Sequence, residues 1–250
     1  MEDAKSGVRA VDRALDILLC FTERSEWAMT EIADKVGLHK STVHRMLATL
    51  ESKGFVTRDK ASDRYRLGMR VWELSAHLAD TDDPAVLWLP EMERLRDLVG
   101  ETISLYVRDG KERIRIQAVQ SNQAVRRVAP VGARLPLFVG AASKVLIAFA
   151  DPAVREEILD EDTGPLPVDR ETYVAQLDDI RNRGYATSME ERESGAAAVS
   201  APILDRTGRL AAALSVSGPV SRLSPDTLHR LAPAVVETAR RMGLMIRQPL

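Results

Sequence analysis

The stretch that most constrains the fold is residues 28–66, AMTEIADKVGLHKSTVHRMLATLESKGFVTRDKASDRYR. It predicts a short helix at Thr30–Val36 and a second helix at Lys40–Ser52. Gly37, between them, permits a tight turn because glycine adopts a left-handed backbone at little cost. In the second helix the apolar residues recur at i, i+4 and i+7, as a single buried stripe requires: Val43, Leu47 and Leu50.

A hairpin follows the second helix. Gly54 ends the helix, Phe55–Thr57 reads as a strand, Asp59–Asp63 as a polar turn and Arg64–Leu67 as the return strand. Two helices across a short turn, followed by a basic hairpin, predict a winged helix-turn-helix. In that motif the second helix enters the major groove of DNA with its amino end first.

Charge supports DNA as the partner of this module. Residues 35–70 contain nine Lys or Arg and three acidic residues, a net +6, against −2 for the whole chain. A basic segment in a mildly acidic protein is typical of phosphate contact by one module. A winged helix that mediates only protein contact is the alternative, but polar and basic residues are concentrated on the outer face of the second helix.

The candidate DNA-binding side chains form two groups. At the start of the second helix they are Lys40, Ser41, Thr42, His44 and Arg45, and in the wing they are Arg58, Lys60 and Arg64. Hydroxyl groups beside the free N–H groups of a helix start suit phosphate oxygens. Arg45 can pair with O6 and N7 of guanine. For each wing cation, a solvated loop charge is the alternative interpretation.

The composition fits two modest globular domains. The chain has 250 residues, 45% of them apolar and 29% charged, which is ordinary for this class of protein. A single cysteine, Cys20, excludes an internal disulfide framework and a multi-cysteine zinc site. No apolar stretch approaches the length of about 18 residues that indicates a membrane span. The polar amino terminus lacks the apolar core of a signal peptide, so we expect a cytoplasmic protein without a membrane partner.

Other segments extend this organisation on both sides of the motif. Val8–Thr22 predicts a helix that can pack on the motif or on its copy in a second subunit. Met69–Ala79 predicts a connecting helix, and Thr81–Pro84 interrupts it at the expected domain boundary. Pro84–Val99 is helical in pattern, with Pro90 expected to kink or break it.

The second domain has an α+β pattern, with about five or six strands and helices packed on one antiparallel sheet. The expected strands are Thr102–Arg108, Arg113–Gln120, Val125–Val131, Tyr185–Ser188, Ala197–Leu204 and Leu210–Val216. The expected helices include Pro152–Leu159, Arg170–Arg183 and Asp226–Ile246, and Gly164–Pro167 is expected to be a loop.

This second domain carries no recognisable catalytic motif. The four histidines are scattered, and neither a Gly-x-Ser-x-Gly nor an HExxH pattern occurs. Gly140–Lys144 resembles a weak phosphate loop but lacks the Walker spacing. We therefore expect no enzyme activity, no cofactor and no metal. A constitutive architectural DNA-binding protein without a ligand is the second non-enzymatic alternative.

Ser215 and Ser217 suggest a binding site instead. They lie two residues apart on a predicted strand, so both hydroxyl groups point to one face. Hydroxyl groups, backbone donors at a helix start and an apolar floor would suit a small carboxylate. Arg126 or Arg127 could pair with it, although a solvated strand-edge charge is equally consistent. The alternative for the serines is hydrogen bonding to neighbouring backbone.

From about Val8 to the carboxyl terminus, the chain resembles the IclR family of bacterial transcription regulators. The matching motifs are RALDILLCF, TEIADKVGLHKSTVHRMLATLESKGFV, YRLG, LPLFVGAASKVLIAF, GYATSMEE and SVSGPVSR. The resemblance implies a winged helix-turn-helix at 1–68, a linker helix at 69–83 and a GAF-like effector-binding and oligomerisation domain at 84–250. Members form homodimers and often homotetramers, and they bind double-stranded operators with inverted repeats. The family often has Gly where this chain has Ser143, and some relatives have a polar residue at the position of Ala198.

The resemblance also implies the residues of an effector pocket. They are Leu135, Ala141, Ala142, Ser188, Glu190, Ala198, Ser215 and Ser217. The resulting expectation is a ligand-responsive transcriptional regulator, a repressor of a catabolic operon. The expected effector is a small organic acid, with an aromatic acid as one option.

Overall fold

The computed structural model describes residues 8–79, 84–126, 130–159 and 168–246. Contacts divide the chain into two compact units, Met1–Thr81 and Asp82–Leu250, and each unit is described by itself. The expected connecting helix, Met69–Ala79, belongs to the first unit. The expected loop at Gly164–Pro167 and the candidate Arg127 lie outside the described residues.

The first unit is a small helical domain with a three-stranded antiparallel sheet in the order β1-β3-β2. Its elements are α1 (Arg9–Cys20), β1 (Trp27–Ala28), α2 (Met29–Val36), α3 (Lys40–Ser52), β2 (Val56–Asp59), β3 (Arg64–Leu67) and α4 (Met69–Ala79). Helices α2 and α3 with the β2–β3 hairpin form the winged helix-turn-helix that the sequence predicts.

An aliphatic core holds this unit together. Val43 and Leu47 of α3 are fully buried with Ile32 of α2, and they belong to one cluster with Trp27 and Tyr65 of the sheet. Gly68, after β3, allows the wing to end against the end of α3. A Cβ atom added to Gly68 would lie 2.2 Å from the carbonyl oxygen of Gly54, so any side chain there would clash with backbone.

The second unit is built on a six-stranded antiparallel sheet in the order β6-β5-β4-β9-β8-β7. The strands are β4 (Thr102–Asp109), β5 (Glu112–Val119), β6 (Arg134–Pro136), β7 (Ala186–Met189), β8 (Ala196–Leu204) and β9 (Leu210–Pro219). The helices are α5 (Pro84–Leu87), α6 (Leu89–Val99), α7 (Ala141–Ala148), α8 (Pro152–Leu159), α9 (Arg170–Arg183) and α10 (Pro225–Met245). This is the expected α+β, GAF-like architecture.

The two faces of this sheet carry different side chains. One face is aliphatic and packs on α6 and α10, with fully buried residues such as Leu214, Val216 and Val199 in its core. Helix α10 approaches so closely that a Cβ atom on Gly243 would lie 2.0 Å from the carbonyl oxygen of Leu204. The other face packs on α7 and α9 and holds a row of buried polar residues.

Three details differ from the sequence predictions or sharpen them. Pro90 does break the predicted Pro84–Val99 helix, and it lies in the first turn of α6, where its missing N–H costs no hydrogen bond. The described part of Val125–Val131 is not a strand, and the strand beside β5 is β6 instead. The short strand β1, which pairs with β3, had no period-2 pattern to reveal it.

Candidate DNA interface and ligand cleft

The start of α3 presents most of its predicted DNA-binding side chains to solvent. Lys40, Ser41, His44 and Arg45 are exposed, and Thr42 is half-buried. His39 caps the helix, with its Nδ1 atom accepting from the Ser41 N–H at 3.4 Å. Within the described part of the chain, neither Lys40 nor Arg45 forms an ion pair, so both cations are available to an external anion.

The three wing cations differ in their surroundings. Arg58 donates to Asp63 through Nε at 2.6 Å, and Arg64 donates to Glu31 of α2 at 3.2 Å. The Ala28 N–H, with Arg64 and Arg24, lowers the pKa of Glu31 from its usual value. Lys60 is exposed at the tip of the wing. Arg64 therefore also fixes the wing to α2, whereas Lys60 has no described carboxylate partner.

A cleft opens on the polar face of the sheet, at the amino end of α7. The space within it amounts to about 440 Å³ when the open solvent at its mouth is included. It is lined by Tyr106, Arg113, Gly140, Ala141, Ala142, Ser188, Glu191, Arg192, Glu193, Ala196, Ala197, Ala198, Ser215 and Ser217. Six of the eight predicted effector-binding residues thus line one cleft: Ala141, Ala142, Ser188, Ala198, Ser215 and Ser217.

Strand register explains why these residues meet. Ala198 of β8 is paired with Ser188 of β7 on one side and with Ser217 of β9 on the other. Ser188 and Ser217 are 9% and 7% exposed. Their hydroxyl groups form no hydrogen bond to another described residue, so both are free to bind a ligand in the cleft.

The next row of the sheet is also polar. Ser200 donates to the hydroxyl group of Ser215 at 2.8 Å, and Ser215 is paired with Ser104 of β4. The hydroxyl group of Ser104 accepts from the fully buried guanidinium of Arg115 at 2.6 Å. Ser215 is therefore part of a hydrogen-bonded layer inside the protein as well as part of the cleft wall.

Two cationic residues line the cleft, Arg113 and Arg192, and the more buried of them is Arg113, which the sequence interpretation did not select. Arg113 is 5% exposed, and its guanidinium carbon lies 4.9 Å from the centre of the Tyr106 ring. Gly140 leaves room for this guanidinium, because a Cβ atom there would lie 3.3 Å from an Arg113 nitrogen. The alternation of Arg113 and Arg115 with Ile114 and Ile116 was the available signal.

Glu191, also missed, connects the cleft to α7. One carboxylate oxygen of Glu191 accepts from the Gly140 N–H at 3.0 Å, and the other lies 2.5 Å from Nζ of Lys144. Nζ of Lys144 also donates to the carbonyl oxygen of Thr187 at 2.8 Å. The segment after β7 is thereby attached to the first turn of α7.

Tyr173 of α9 supports the loop that precedes α7. Its fully buried hydroxyl group donates to the carbonyl oxygen of Phe138 at 3.2 Å. Burial, with a smaller contribution from the Glu191 charge, raises the pKa of Tyr173 well above its usual value. The phenol therefore stays protonated and keeps this hydrogen bond at physiological pH.

The remaining ligand candidates lie away from the cleft lining. Leu135 is half-buried on β6, packed against the α7–α9 core. Glu190 is exposed at φ +52°, and its carboxylate accepts from the Gly195 N–H at 2.6 Å. Arg126 is exposed and donates to Gln120 and to the carbonyl oxygen of Gln123. Glu190 thus shapes the turn between β7 and β8.

Comparison with known proteins finds a family model for each of the two units. The "IclR helix-turn-helix domain" model matches residues 10–60, and the "Bacterial transcriptional regulator IclR C-terminal" model matches residues 83–243. The chain belongs to the IclR family.

Individual IclR-family proteins are similar over nearly their whole length. The HTH-type transcriptional regulator BhcR of Paracoccus denitrificans is 34% identical, over 95% of this chain and 87% of the relative. The HTH-type transcriptional repressor AllR of Escherichia coli K12 is 32% identical, over 95% and 90%. The crystal structure of an IclR homolog from Microbacterium hydrocarbonoxydans complexed with 4-hydroxybenzoate has a TM-score of 0.82 at 28% identity, covering 95% and 99%.

This IclR-family protein is a DNA-binding transcriptional regulator and not an enzyme, as the sequence predicts. Across the residues that the structure describes, no helix has both the length and the apolar character needed to cross a membrane. Its helix-turn-helix is the family's DNA-binding module, and its carboxyl-terminal domain is the IclR C-terminal domain.

Proposed function

We propose that this regulator represses a catabolic operon in the bacterial cytoplasm and that a small organic acid controls its binding to DNA. The observation that carries the choice of ligand is Arg113. A nearly buried guanidinium in the wall of a cleft is a strong partner for a carboxylate, because a charge-assisted pair is roughly twice as strong as a neutral hydrogen bond.

The rest of the cleft suits a compact apolar body. Ala141, Ala142 and Ala198 present methyl groups, and Ser188 and Ser217 offer free hydroxyl groups. The similar homolog complexed with 4-hydroxybenzoate supports a hydroxylated aromatic acid. Repression is supported by the similarity to AllR, which is a transcriptional repressor.

On DNA, we assign direct base contact to the exposed face of α3. Arg45 and His44 lie one turn from the helix start, so they can reach base edges, while Lys40, Ser41 and Thr42 contact phosphates. In the wing, Lys60 is the best-placed phosphate contact, and Arg58 and Arg64 contribute charge while holding the wing.

The operator should be an inverted repeat bound by a symmetric homodimer or homotetramer. Helix α1 exposes an apolar stripe on the side opposite its buried residue Ile17. Its members are Val8, Val11, Leu15 and Leu19, all at least 52% exposed. An apolar stripe of this kind is suited to pairing with its own copy, which places two α3 helices on one duplex.

The test is a thermal-shift and calorimetric screen on the full chain. Benzoate and 4-hydroxybenzoate are compared with the neutral amides of the same shape. We expect the acids, and not the amides, to stabilise the wild-type protein. Loss of one charge-assisted hydrogen bond, about 1.5–3 kcal/mol, predicts that Arg113→Gln weakens acid binding about ten- to hundredfold.

Arg126→Gln is the matched control, because it removes the same charge from an exposed site outside the cleft. Arg113→Lys retains the positive charge and is the control for a folding defect in Arg113→Gln. With an operator selected from a duplex library, bound acid should change the affinity of the protein for DNA by a coupling free energy of about 1–3 kcal/mol. Stabilisation by neutral or cationic compounds alone would refute an acidic effector, and equal effects of both Gln variants would refute the role of Arg113.

A further inference from the structure

Glu191 places its own carboxylate at the position that an acidic ligand would need. The Gly140 N–H, at the start of α7, points to Glu191 at 3.0 Å. The Arg113 guanidinium lies against the same glycine. Gly140, Arg113 and Glu191 all line the cleft, so a ligand carboxylate paired with Arg113 would lie beside the Glu191 carboxylate.

Two carboxylates cannot both accept a good hydrogen bond from one N–H donor. The Gly140 amide has a single proton, and like charges at hydrogen-bond distance repel strongly in a partly buried site. Glu191 is 34% exposed at its side chain, and its partner Lys144 is 12% exposed. Solvent therefore screens this repulsion incompletely.

Glu191 also attaches a short segment of the chain to the start of α7. Residues 190–195 connect β7 to β8, with Glu190 at φ +52° and Gly195 at φ +76° at its two ends. Within the segment, the Ser194 hydroxyl group and the Gly195 N–H both donate to the Glu190 carboxylate. Glu191 reaches out of it, to Gly140 and to Lys144 of α7.

We propose that Glu191 is an internal competitor for the effector carboxylate, and that a bound acid displaces Glu191 from the Gly140 N–H and loosens the attachment of residues 190–195 to α7. This inference rests on the proposed acidic effector and adds its route of action. The segment would then have two arrangements, and the acid would bind one of them more tightly. A population shift requires such a difference, because a ligand can act only through a difference in its affinity for two states.

Two free hydroxyl groups in the cleft can form further hydrogen bonds with a ligand that has displaced Glu191. Ser217 and Ser188 line the same cleft, nine-tenths buried and without a described partner. An acid that takes the Gly140 N–H and the Arg113 guanidinium can also engage these hydroxyls. Glu191, when it leaves Gly140, retains Lys144 as a partner, so the displacement does not leave either charge isolated.

The experiment compares Glu191→Gln with Glu193→Gln in the full chain. Both residues line the cleft and both changes remove one negative charge, but only Glu191 bonds to Gly140 and Lys144. The probes are 4-hydroxybenzoate and benzoate, with 4-hydroxybenzamide as the neutral control, measured by calorimetry. We expect Glu191→Gln to bind the acids about tenfold more tightly, because the binding-competent fraction rises, and Glu193→Gln to change affinity by less than about twofold.

Hydrogen exchange provides a second measurement. In the wild-type protein, bound acid should speed exchange in residues 190–195, and Glu191→Ala should show this faster exchange without acid. Operator affinity of Glu191→Gln should be shifted in the direction that the acid produces, and its further response to acid should be smaller.

The outcomes separate this inference from the proposed effector class. Acid binding that is equal in all three proteins, or tightened equally by both Gln changes, overturns the role of Glu191 and leaves the acidic effector intact. Weaker binding to Glu191→Gln also overturns it, since Glu191 would then be a ligand contact. If no acid binds the wild type or either Glu191 variant, both proposals fall.

Discussion

At the scale of single residues, Ser215 and Ser217 show how two neighbours on one strand acquire different roles. Both lie on β9 and line the cleft. Ser215 accepts a hydrogen bond from the buried Ser200, whereas Ser217 has no described partner. Ser215 therefore has a structural bond to lose, and Ser217 has none.

Each serine should respond differently to alanine. Ser215→Ala leaves the Ser200 hydroxyl buried without this partner and should lower the free energy of unfolding by about 1–3 kcal/mol. Ser217→Ala should lower it by less than about 0.5 kcal/mol. Instead, Ser217→Ala should weaken acid binding by about 0.5–1.5 kcal/mol through loss of one hydrogen bond.

Urea unfolding and calorimetric titration of the two variants measure these two effects separately. Each variant is the control for the other, since the same atom is removed two residues away on the same face. Identical losses of stability in both variants would contradict the distinction.

The residues that sequence interpretation missed share a physical cause. Arg113 and Tyr106 approach each other across β4 and β5, whose register shifts at Leu105 and Tyr106. Glu191 reaches Gly140 across 51 positions of sequence. Periodicity specifies which face of an element a side chain occupies, but contacts between elements depend on register and on loop conformation, which no local pattern encodes.

At the scale of elements, local sequence patterns predicted the limits of helices better than they predicted contacts between elements. The limits of α3, α4 and α9 match their predicted ranges, because capping residues, glycines and prolines act within a few positions of the helix end. The Asp169 side chain, for example, caps α9 by accepting from the Thr172 N–H at 3.0 Å. The third predicted strand was misplaced because β-branched residues favour a strand, whereas the described residues at the two ends of Val125–Val131 pair with no neighbouring strand.

The first turn of helix α4 is hydrogen-bonded to Gly54, and the helix carries an exposed apolar surface. The Arg70 N–H donates to the carbonyl oxygen of Gly54 at 3.1 Å, and the Arg70 side chain forms an ion pair with Glu73. Met69, Trp72 and Leu74 are exposed. We propose that α4 is a rigid lever that sets the distance between two DNA-binding domains.

Glu73→Pro should break this lever. Proline removes a helical hydrogen bond and clashes with the preceding turn, at a cost of about 3 kcal/mol. Operator affinity, measured by fluorescence anisotropy, should fall while acid binding by the second unit persists. Glu73→Ala is the control, because it removes the Arg70 ion pair without bending the helix. Unchanged operator affinity in a folded Glu73→Pro protein would refute the lever.

At the scale of the whole molecule, the proposed symmetric pairing would set how strongly the protein holds its operator. An inverted repeat offers two equivalent half-sites, and linking two readers turns the second contact into an intramolecular event. The exposed stripe on α1 is the surface of the first unit that we assign to this pairing.

Leu15→Asp should disrupt the pairing by placing a charge in the middle of the α1 stripe. Affinity for a duplex with two half-sites should fall at least about tenfold, since linkage of two sites contributes about 10²–10⁴. Affinity for a single half-site should not change. Ser62→Asp adds the same charge at the exposed tip of the wing and should leave the ratio of the two affinities unaltered. A parallel loss on both duplexes would locate the defect in DNA contact rather than pairing.

The two unlike faces of the six-stranded sheet have an evolutionary consequence. Along β8 and β9, alternate residues face either the aliphatic core or the polar cleft, as Val216 does between Ser215 and Ser217. One strand therefore carries two interleaved sets of positions, which selection can act on separately. A lineage can exchange residues on the cleft side to recognise a new metabolite while the core side, and with it the folded scaffold, is inherited unchanged.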